Sequence, residues 1–244
     1  MWTLLFWGLT FYTLPGMADK KDKFIAQMLP YIQTVNHEII NQRQKLMQLA
    51  AKQRYTHLSE RDKRWLSQLA DEYKIYHPDF DHANTWQELQ MKVDIIPPSL
   101  AIAQAAIESG WGHSQYAKKA NNFFGQSCFK PGCGLKLNHK KSTAYYEAAT
   151  FSSIQEAVHS YIINLNTHQA YKELRQIRHE QRQQQHALDS LKLAQGLQRY
   201  SERGKTYVNY IRTMLKKLPL NKLDRYDIYT TRYNTRSVIP ANNA

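Results

Sequence analysis

The sequence predicts a mostly α-helical protein with a small β-hairpin lobe and an N-terminal helical extension. Three observations lead to this prediction. Apolar side chains recur at helical spacing over residues 19–54, an alanine-rich apolar run opens with proline over residues 97–109, and a small hairpin is predicted over residues 135–150, which contain the strand-like stretch 143–146. The chain has 244 residues, which is enough for one domain with an extension or for two small domains.

Residues 1–18 predict a signal peptide. The run from Met1 to Leu14 is nearly all apolar and aromatic, and Pro15-Gly16-Met17-Ala18 offers small residues where cleavage would occur. The run is too short for a standard spanning helix. Because no Lys or Arg precedes it, an uncleaved anchor that keeps the protein near the membrane is the alternative. Both readings predict a periplasmic or secreted location.

Residues 19–92 are predicted to form the helical extension. A long helix covers most of it, with Pro30 expected to kink that helix or to mark a boundary. A second helix should begin at Ser59, and a short third one should follow near residue 85. The long helix is interpreted either as an arm that binds the cell wall or a partner, or as a brace packed on the following domain.

Glu108 is the strongest candidate for chemistry in the sequence. It ends the apolar run Pro97-Pro98-Ser99-Leu100-Ala101-Ile102-Ala103-Gln104-Ala105-Ala106-Ile107, and Glu147 is the next acidic residue. Burial against apolar groups and the negative end of the helix dipole both favour the neutral carboxyl, so its pKa should be raised. A carboxyl of this kind is suited to general acid catalysis, whereas the alternative is an exposed residue at a helix end.

Trp111 lies between Gly110 and Gly112, directly after this acid. The glycines allow a sharp turn, which would present the indole ring beside the carboxyl. An aromatic face next to a general acid fits a sugar ring, whose glycosidic oxygen would then lie near the acid.

The two cysteines, Cys128 and Cys133, enclose a short segment that contains Pro131-Gly132. Outside the cytoplasm a close pair of this kind predicts a disulfide, worth roughly 2 kcal/mol if it is unstrained. Zinc binding is the alternative, but a second cysteine pair is missing and the spacing does not fit. The run His77-Pro78-Asp79-Phe80-Asp81-His82 contains residue types that bind metals, yet these are also ordinary loop residues. No metal or cofactor is therefore predicted.

The block from Ala103 to Gly112, followed by Asn122-Phe123-Phe124-Gly125, resembles the bacterial glucosaminidase family and especially its Bax-type branch. Tyr200-Ser201, with Tyr207-Val208 following, is similar to the segment that carries the family's active-site tyrosine. The resemblance covers roughly residues 60–217. It implies a lysozyme-like catalytic domain, predicted over residues 93–218, that cuts peptidoglycan glycan strands.

The resemblance implies a set of site residues. Glu108 would be the general acid, and the second role would fall either to Glu147 or to the acetamido group of the substrate, with Tyr200 assisting. The predicted substrate-binding residues lie in the two motifs and are Trp111, Asn122, Phe123, Phe124 and Gly125. The reaction would be that of an endo-β-N-acetylglucosaminidase. The alternatives are a lytic transglycosylase or muramidase on the same scaffold, and a non-catalytic wall-binding protein.

The net charge of +13 predicts an anionic environment: the cell wall, a membrane surface or nucleic acid. The basic, glutamine-rich helix predicted over residues 171–186 lacks aromatic residues interleaved for base stacking, so it is interpreted as a solvated face and no nucleic-acid partner is predicted. The protein is expected to be a monomer. Residues 219–244 are predicted to form a polar, basic tail.

Overall fold

The structure, a computed structural model, describes residues 15–136 and 146–225. Within them the protein is mostly helical, with one small three-stranded antiparallel sheet and a long N-terminal helix, as predicted. Most of the predicted signal peptide, residues 137–145 of the predicted hairpin and the tail beyond residue 225 lie outside this description. None of the helices in the described part is both long enough and apolar enough to span a membrane.

The helices predicted over residues 19–54, from Ser59, near residue 85, over 97–109 and over 171–186 are all present. In the described part the helices are α1 (Pro15–Gln53), α2 (Glu60–Glu72), α3 (Ala83–Lys92), α4 (Pro98–Ser109), α5 (Gln115–Ala120), α6 (Ile154–Thr167), α7 (Lys172–Gln183), α8 (Ser190–Leu193) and α9 (Lys205–Lys217). Short 3-10 turns at Gln169–Tyr171, Ala194–Leu197 and Leu220–Arg225 complete the helical part. Serine side chains cap three of these helices, because Ser59, Ser114 and Ser153 each accept a hydrogen bond from a backbone N–H of the first turn.

Helix α1 joins two hydrophobic cores. Its first half buries Phe24, Met28 and Ile32 in the main core, which also contains α4, α6 and α9. Its second half packs Leu46 and Leu49 into a smaller core with α2 and α3. The helix continues through Pro30, so the predicted boundary at that residue is wrong. This packing agrees with the interpretation of α1 as a brace.

A buried ionic cluster ties α1 and α7 to the loop that leads into α4. Asp94 in this loop lies 2.9 Å from Arg182, 3.7 Å from Arg43 and 3.9 Å from Arg178. Burial alone would raise the pKa of Asp94, but the three guanidinium groups outweigh it and hold that pKa well below its usual range. Arg178, which is 1% exposed, also donates to the backbone carbonyls of Asp94 and Ile95. The cluster therefore fixes the entry to α4.

Helix α7 has the predicted solvated face, but its other side carries buried polar residues that were not predicted from the sequence. Arg175, Arg178 and Gln181 are buried on the side of α7 that faces the protein. Arg175 donates to the carbonyls of Leu165 and His168, so its charge is used to satisfy backbone acceptors. The burial of Arg175 and Arg178 is tolerated because their guanidinium groups find acceptors inside the fold.

The lobe contains the predicted antiparallel pairing and one strand more than the predicted hairpin. Strand β3 (Glu147–Ala149) lies in the centre, between β1 (Ser127–Cys128) and β2 (Gly134–Lys136), and all three of its residues are buried. The register pairs Cys128 with Glu147 and Leu135 with Ala148. A disulfide joins Cys128 to Cys133 across the turn between β1 and β2, which confirms the predicted pairing.

The chain stays folded beyond residue 218, the predicted end of the catalytic domain. Leu220 is buried in the main core. Asp224 accepts hydrogen bonds from the backbone N–H of Ser99, at 2.9 Å, and from its hydroxyl, at 2.6 Å. Because Ser99 lies in the first turn of α4, Asp224 satisfies a donor that the helix itself leaves free.

Candidate active site

Glu108 lies in the last turn of α4 and is partly exposed to solvent. Gly110 ends the helix in the left-handed conformation, with φ 57°. Burial raises the pKa of Glu108, while a hydrogen bond from the Tyr207 hydroxyl and the positive charge of Arg203 oppose the rise without cancelling it. The predicted raised pKa is thus confirmed in direction, and burial is its main physical cause.

Gly125 explains why the two sequence motifs occur together. A Cβ atom at this position would lie 2.9 Å from Oε2 of Glu108, closer than side chains pack. Gly125 also has a φ of +65°, which other residues adopt at a cost. The loop backbone therefore lies against the carboxyl group and helps to shield it from water.

Asn122 holds this loop in place from inside. The residue is 2% exposed, and its side-chain amide donates to the carbonyls of Gln126 and Ala149 while its oxygen accepts the Gln126 N–H. The Asn122 side chain thus joins the start of the loop to Gln126 at its end, and the loop to Ala149 in β3. The structure supports a loop-shaping role for Asn122, and its substrate contact remains a prediction.

Phe123 and Phe124 are both buried, at 4% and 1% exposure. Phe124 stacks on Tyr161 with ring centroids 4.0 Å apart, and Phe123 lies beside Phe24 of α1. These contacts favour a role in packing over direct contact with a sugar, because the rings have little surface left to offer. Their predicted substrate binding is not tested by this geometry.

Four buried or partly buried tyrosines lie close enough to Glu108 for its charge to affect their pKa. Burial is the main cause that raises the pKa of each, and the negative charge of Glu108 adds to the rise; the four are Tyr161, Tyr171, Tyr200 and Tyr207. Tyr200 stacks on Tyr207 at 5.5 Å and donates its hydroxyl hydrogen bond to the Phe124 carbonyl at 2.7 Å. Neutral hydroxyls, and only one nearby cation, Arg203, therefore form the electrostatic surroundings of the acid within the described part of the chain.

A chain of hydrogen bonds leads through the core to Glu108. This chain was not predicted from the sequence. The Tyr161 hydroxyl donates to Oε1 of Gln104 at 2.7 Å, and Nε2 of Gln104 lies 3.1 Å from the Tyr207 hydroxyl, to which it donates. Tyr207 in turn donates to Glu108. The sequence signal for it was Gln104, a single amide in an apolar helix, four residues before the acid and therefore on the same helix face. In the structure this amide is fully buried.

Trp111 is partly buried, and α1 contributes to its surroundings. Phe24 and Trp111 make an edge-to-face contact with ring centroids 5.6 Å apart. Nζ of Lys21 lies 5.4 Å from the centroid of the Trp111 ring. Gly112 allows this approach, since a Cβ there would meet the Phe24 ring at 3.3 Å. The N-terminal helix therefore forms part of the wall beside the predicted sugar platform.

Glu147 is 2% exposed in the central strand, and its carboxylate accepts the backbone N–H groups of Gly132 and Gly134. It therefore holds the disulfide-closed turn against the sheet. Within the described ranges, the one cluster of three close metal-ligand types is Cys128, Cys133 and Glu147, and both of its sulfurs are bonded to each other. The segment from His77 to His82 forms an exposed turn in which Asp79 pairs with His82.

Comparison with known proteins agrees with this geometry. A family model described as mannosyl-glycoprotein endo-beta-N-acetylglucosaminidase, named Glucosaminidase, matches residues 83–220. The chain is 34% identical over 200 residues to Protein bax of Escherichia coli (strain K12), an alignment that covers 82% of this chain and 70% of that protein. No solved structure matches the chain.

Proposed function

The chain belongs to the glucosaminidase family, and on this premise we propose that it is a peptidoglycan hydrolase, an endo-β-N-acetylglucosaminidase that uses Glu108 as its general acid. The observation that carries the proposal is the environment of that carboxyl. It is desolvated at the end of α4, its pKa is raised, and neutral hydroxyls rather than a close array of cations surround it. A raised pKa increases the fraction of the carboxyl that keeps its proton, and a protonated carboxyl can give that proton to a leaving glycosidic oxygen.

The second catalytic role is assigned to the substrate. The acetamido oxygen of the sugar would attack the anomeric carbon as the glycosidic bond breaks and Glu108 protonates the leaving oxygen. The Glu108 carboxylate would then take a proton from the water that opens the cyclic intermediate. Tyr200, which stacks on Tyr207, would steady the acetamido group or the developing charge.

Glu147 is the competing candidate for the second role. Two backbone N–H donors already engage its carboxylate, and an anchored carboxylate of this kind supports a structural function. The proposal therefore gives Glu147 the task of holding the turn closed by Cys128 and Cys133. Trp111 would offer its indole to a sugar ring at the mouth of the site.

The proposed location is periplasmic or secreted, as the leader and the disulfide suggest. A net charge of +13 would favour approach to an anionic wall polymer.

The test is mass spectrometry of the reduced soluble products from purified peptidoglycan, with wild type and Glu108→Gln in parallel. We expect reducing-end N-acetylglucosamine from the wild type and none from the variant. Reducing-end N-acetylmuramic acid would identify a muramidase, and an anhydro product would identify a lytic transglycosylase. If neither protein releases product while both bind the wall, the protein is a binding module and the proposal is wrong.

A further inference from the structure

The hydroxyl of Tyr207 has a single proton and two polar neighbours, Gln104 and Glu108. Nε2 of Gln104 lies 3.1 Å from the hydroxyl oxygen and can only donate. The proton of Tyr207 must therefore point elsewhere, and the carboxyl of Glu108 is the partner on the other side. In this arrangement Tyr207 donates to Glu108 and stabilises its ionised form.

The orientation of the Gln104 amide is itself determined by a third residue. The hydroxyl of Tyr161 donates to Oε1 of Gln104 at 2.7 Å, which leaves Nε2 directed at Tyr207. Gln104 and Tyr161 are fully buried and Tyr207 is 5% exposed, so water does not readily replace these bonds. All donors along the chain consequently point towards Glu108.

We propose that Gln104 is a positioning residue of the active site, which acts through Tyr207 by directing the Tyr207 proton to Glu108. The inference rests on the proposed function for its catalytic meaning, because it concerns how readily the general acid Glu108 ionises. Desolvation alone would make Glu108 a poor proton donor, since a carboxyl that is too reluctant to ionise does not release its proton to the leaving group. The directed hydroxyl limits that effect.

The other ionisable groups facing Glu108 do not replace this contact. Arg203 lies on the loop before α9 and affects Glu108 through its charge alone. Among the contacts of the described residues, Tyr161, Tyr171 and Tyr200 form no hydrogen bond to the carboxyl. Tyr200 gives its proton to the Phe124 carbonyl instead. Removing the Tyr207 hydroxyl should therefore act on the ionisation of Glu108 more than removing any other tyrosine hydroxyl.

The experiment is a carboxyl carbon-13 NMR titration of the full chain labelled at glutamate, with the Glu108 signal assigned from Glu108→Gln. Tyr207→Phe should lower the acid ionisation constant of Glu108 by about tenfold, the effect expected from losing a hydrogen bond to a charged group. Gln104→Met should change it in the same direction by a smaller factor, because the Tyr207 proton is then free to rotate.

The matched control is Tyr73→Phe, which removes another buried tyrosine hydroxyl bonded to a glutamine amide, that of Gln42, in the smaller core. It should leave the ionisation of Glu108 unchanged while thermal melting reports any loss of stability. If Gln104→Met fails to fold, Tyr161→Phe tests the same link, because it removes the donor that orients the amide.

An ionisation constant of Glu108 that is unchanged in folded Gln104→Met or Tyr161→Phe would overturn the proposal. The titration needs no substrate, so it separates this inference from the proposed function. If wild type releases no glycan product while the titration shifts as expected, the function fails and the positioning role stands. With activity present, the alkaline limb of kcat/KM should move to higher pH in Tyr207→Phe.

Discussion

Two carboxyl groups near opposite ends of α4 have opposite pKa shifts. Asp94 precedes the helix, is 2% exposed and faces three guanidinium groups, which hold its pKa well below the usual range. Glu108 ends the helix, and burial raises its pKa because the Tyr207 hydroxyl and the charge of Arg203 do not compensate it fully. Both groups are desolvated, so the difference lies in their partners.

The contrast separates a structural carboxylate from a reactive one. Around Asp94 the charges are balanced and the backbone acceptors nearby are satisfied by Arg178, which makes the cluster a rigid connection among α1, α7 and the entry to α4. Around Glu108 the protein keeps a proton-holding group in a polar but mostly uncharged setting. Catalysis needs the second kind of site, since a permanently ionised carboxylate has no proton to donate.

The largest expected effect comes from removing the charge of Asp94. Asp94→Asn should lower the free energy of unfolding by about 4 kcal/mol at neutral pH, because it leaves buried guanidinium groups without their counter-ion. Urea denaturation measures this loss. The matched control, Asp79→Asn, alters an exposed carboxylate paired with His82 and should cost much less.

The pH dependence of this loss has a defined sign. Since the folded pKa of Asp94 is depressed, its contribution is present above its unfolded pKa, about 3.9, and is lost as the pH falls further. The difference between wild type and Asp94→Asn should therefore shrink in acid. A difference that stays constant from neutral pH down to acid would show that the ion pairs contribute nothing.

Glu147→Gln tests whether Glu147 is a structural carboxylate like Asp94 or a reactive one like Glu108. An amide at this position cannot accept both the Gly132 and Gly134 N–H groups, so we expect a loss of about 2 kcal/mol in unfolding free energy. Activity of the folded protein should fall by less than about tenfold. A loss of about 100-fold or more in kcat with the fold intact would instead make Glu147 the second catalytic carboxylate.

Gly125→Ala tests the close approach of the loop to Glu108. The variant should lose about 1.5 kcal/mol of stability from its left-handed backbone, and most of its activity because the new methyl group displaces Oε2 of Glu108. Gly132→Ala is the matched control: its φ is +79°, and nothing lies within 4 Å of the added Cβ. Equal activity losses in the two variants would contradict the contact argument. Circular dichroism melts and product release measure both.

The smallest expected effect is a gain. Glu108→Gln should raise the free energy of unfolding by about 1 kcal/mol at neutral pH, because it removes a carboxyl whose ionisation is penalised by burial in the folded state. Since burial raises the folded pKa of Glu108, wild type loses stability as the pH rises through that pKa, whereas the amide does not. The gain should disappear in acid, where both side chains are neutral. A loss of stability at neutral pH would place Glu108 with Asp94 as a structural carboxylate.

The sequence alone determined the features that depend on neighbouring residues. Helix starts at Ser59, Ser114 and Ser153 follow from hydrogen bonds within one turn, and the disulfide follows from two cysteines close in the chain. The raised pKa of Glu108 was predictable because an apolar helix carries it.

Only the tertiary structure decided which distant residues meet. Gln104 reaches Tyr207 across 103 residues of sequence, and Arg178 reaches Ile95 across 83, so neither contact leaves a periodic pattern in the chain. The burial of the arginines of α7 was missed for the same reason: a basic helix is normally solvated, and only carboxylate and carbonyl groups supplied by other elements make its burial favourable. Partners that satisfy buried polar groups are chosen by the packing of the whole chain, which local sequence does not encode.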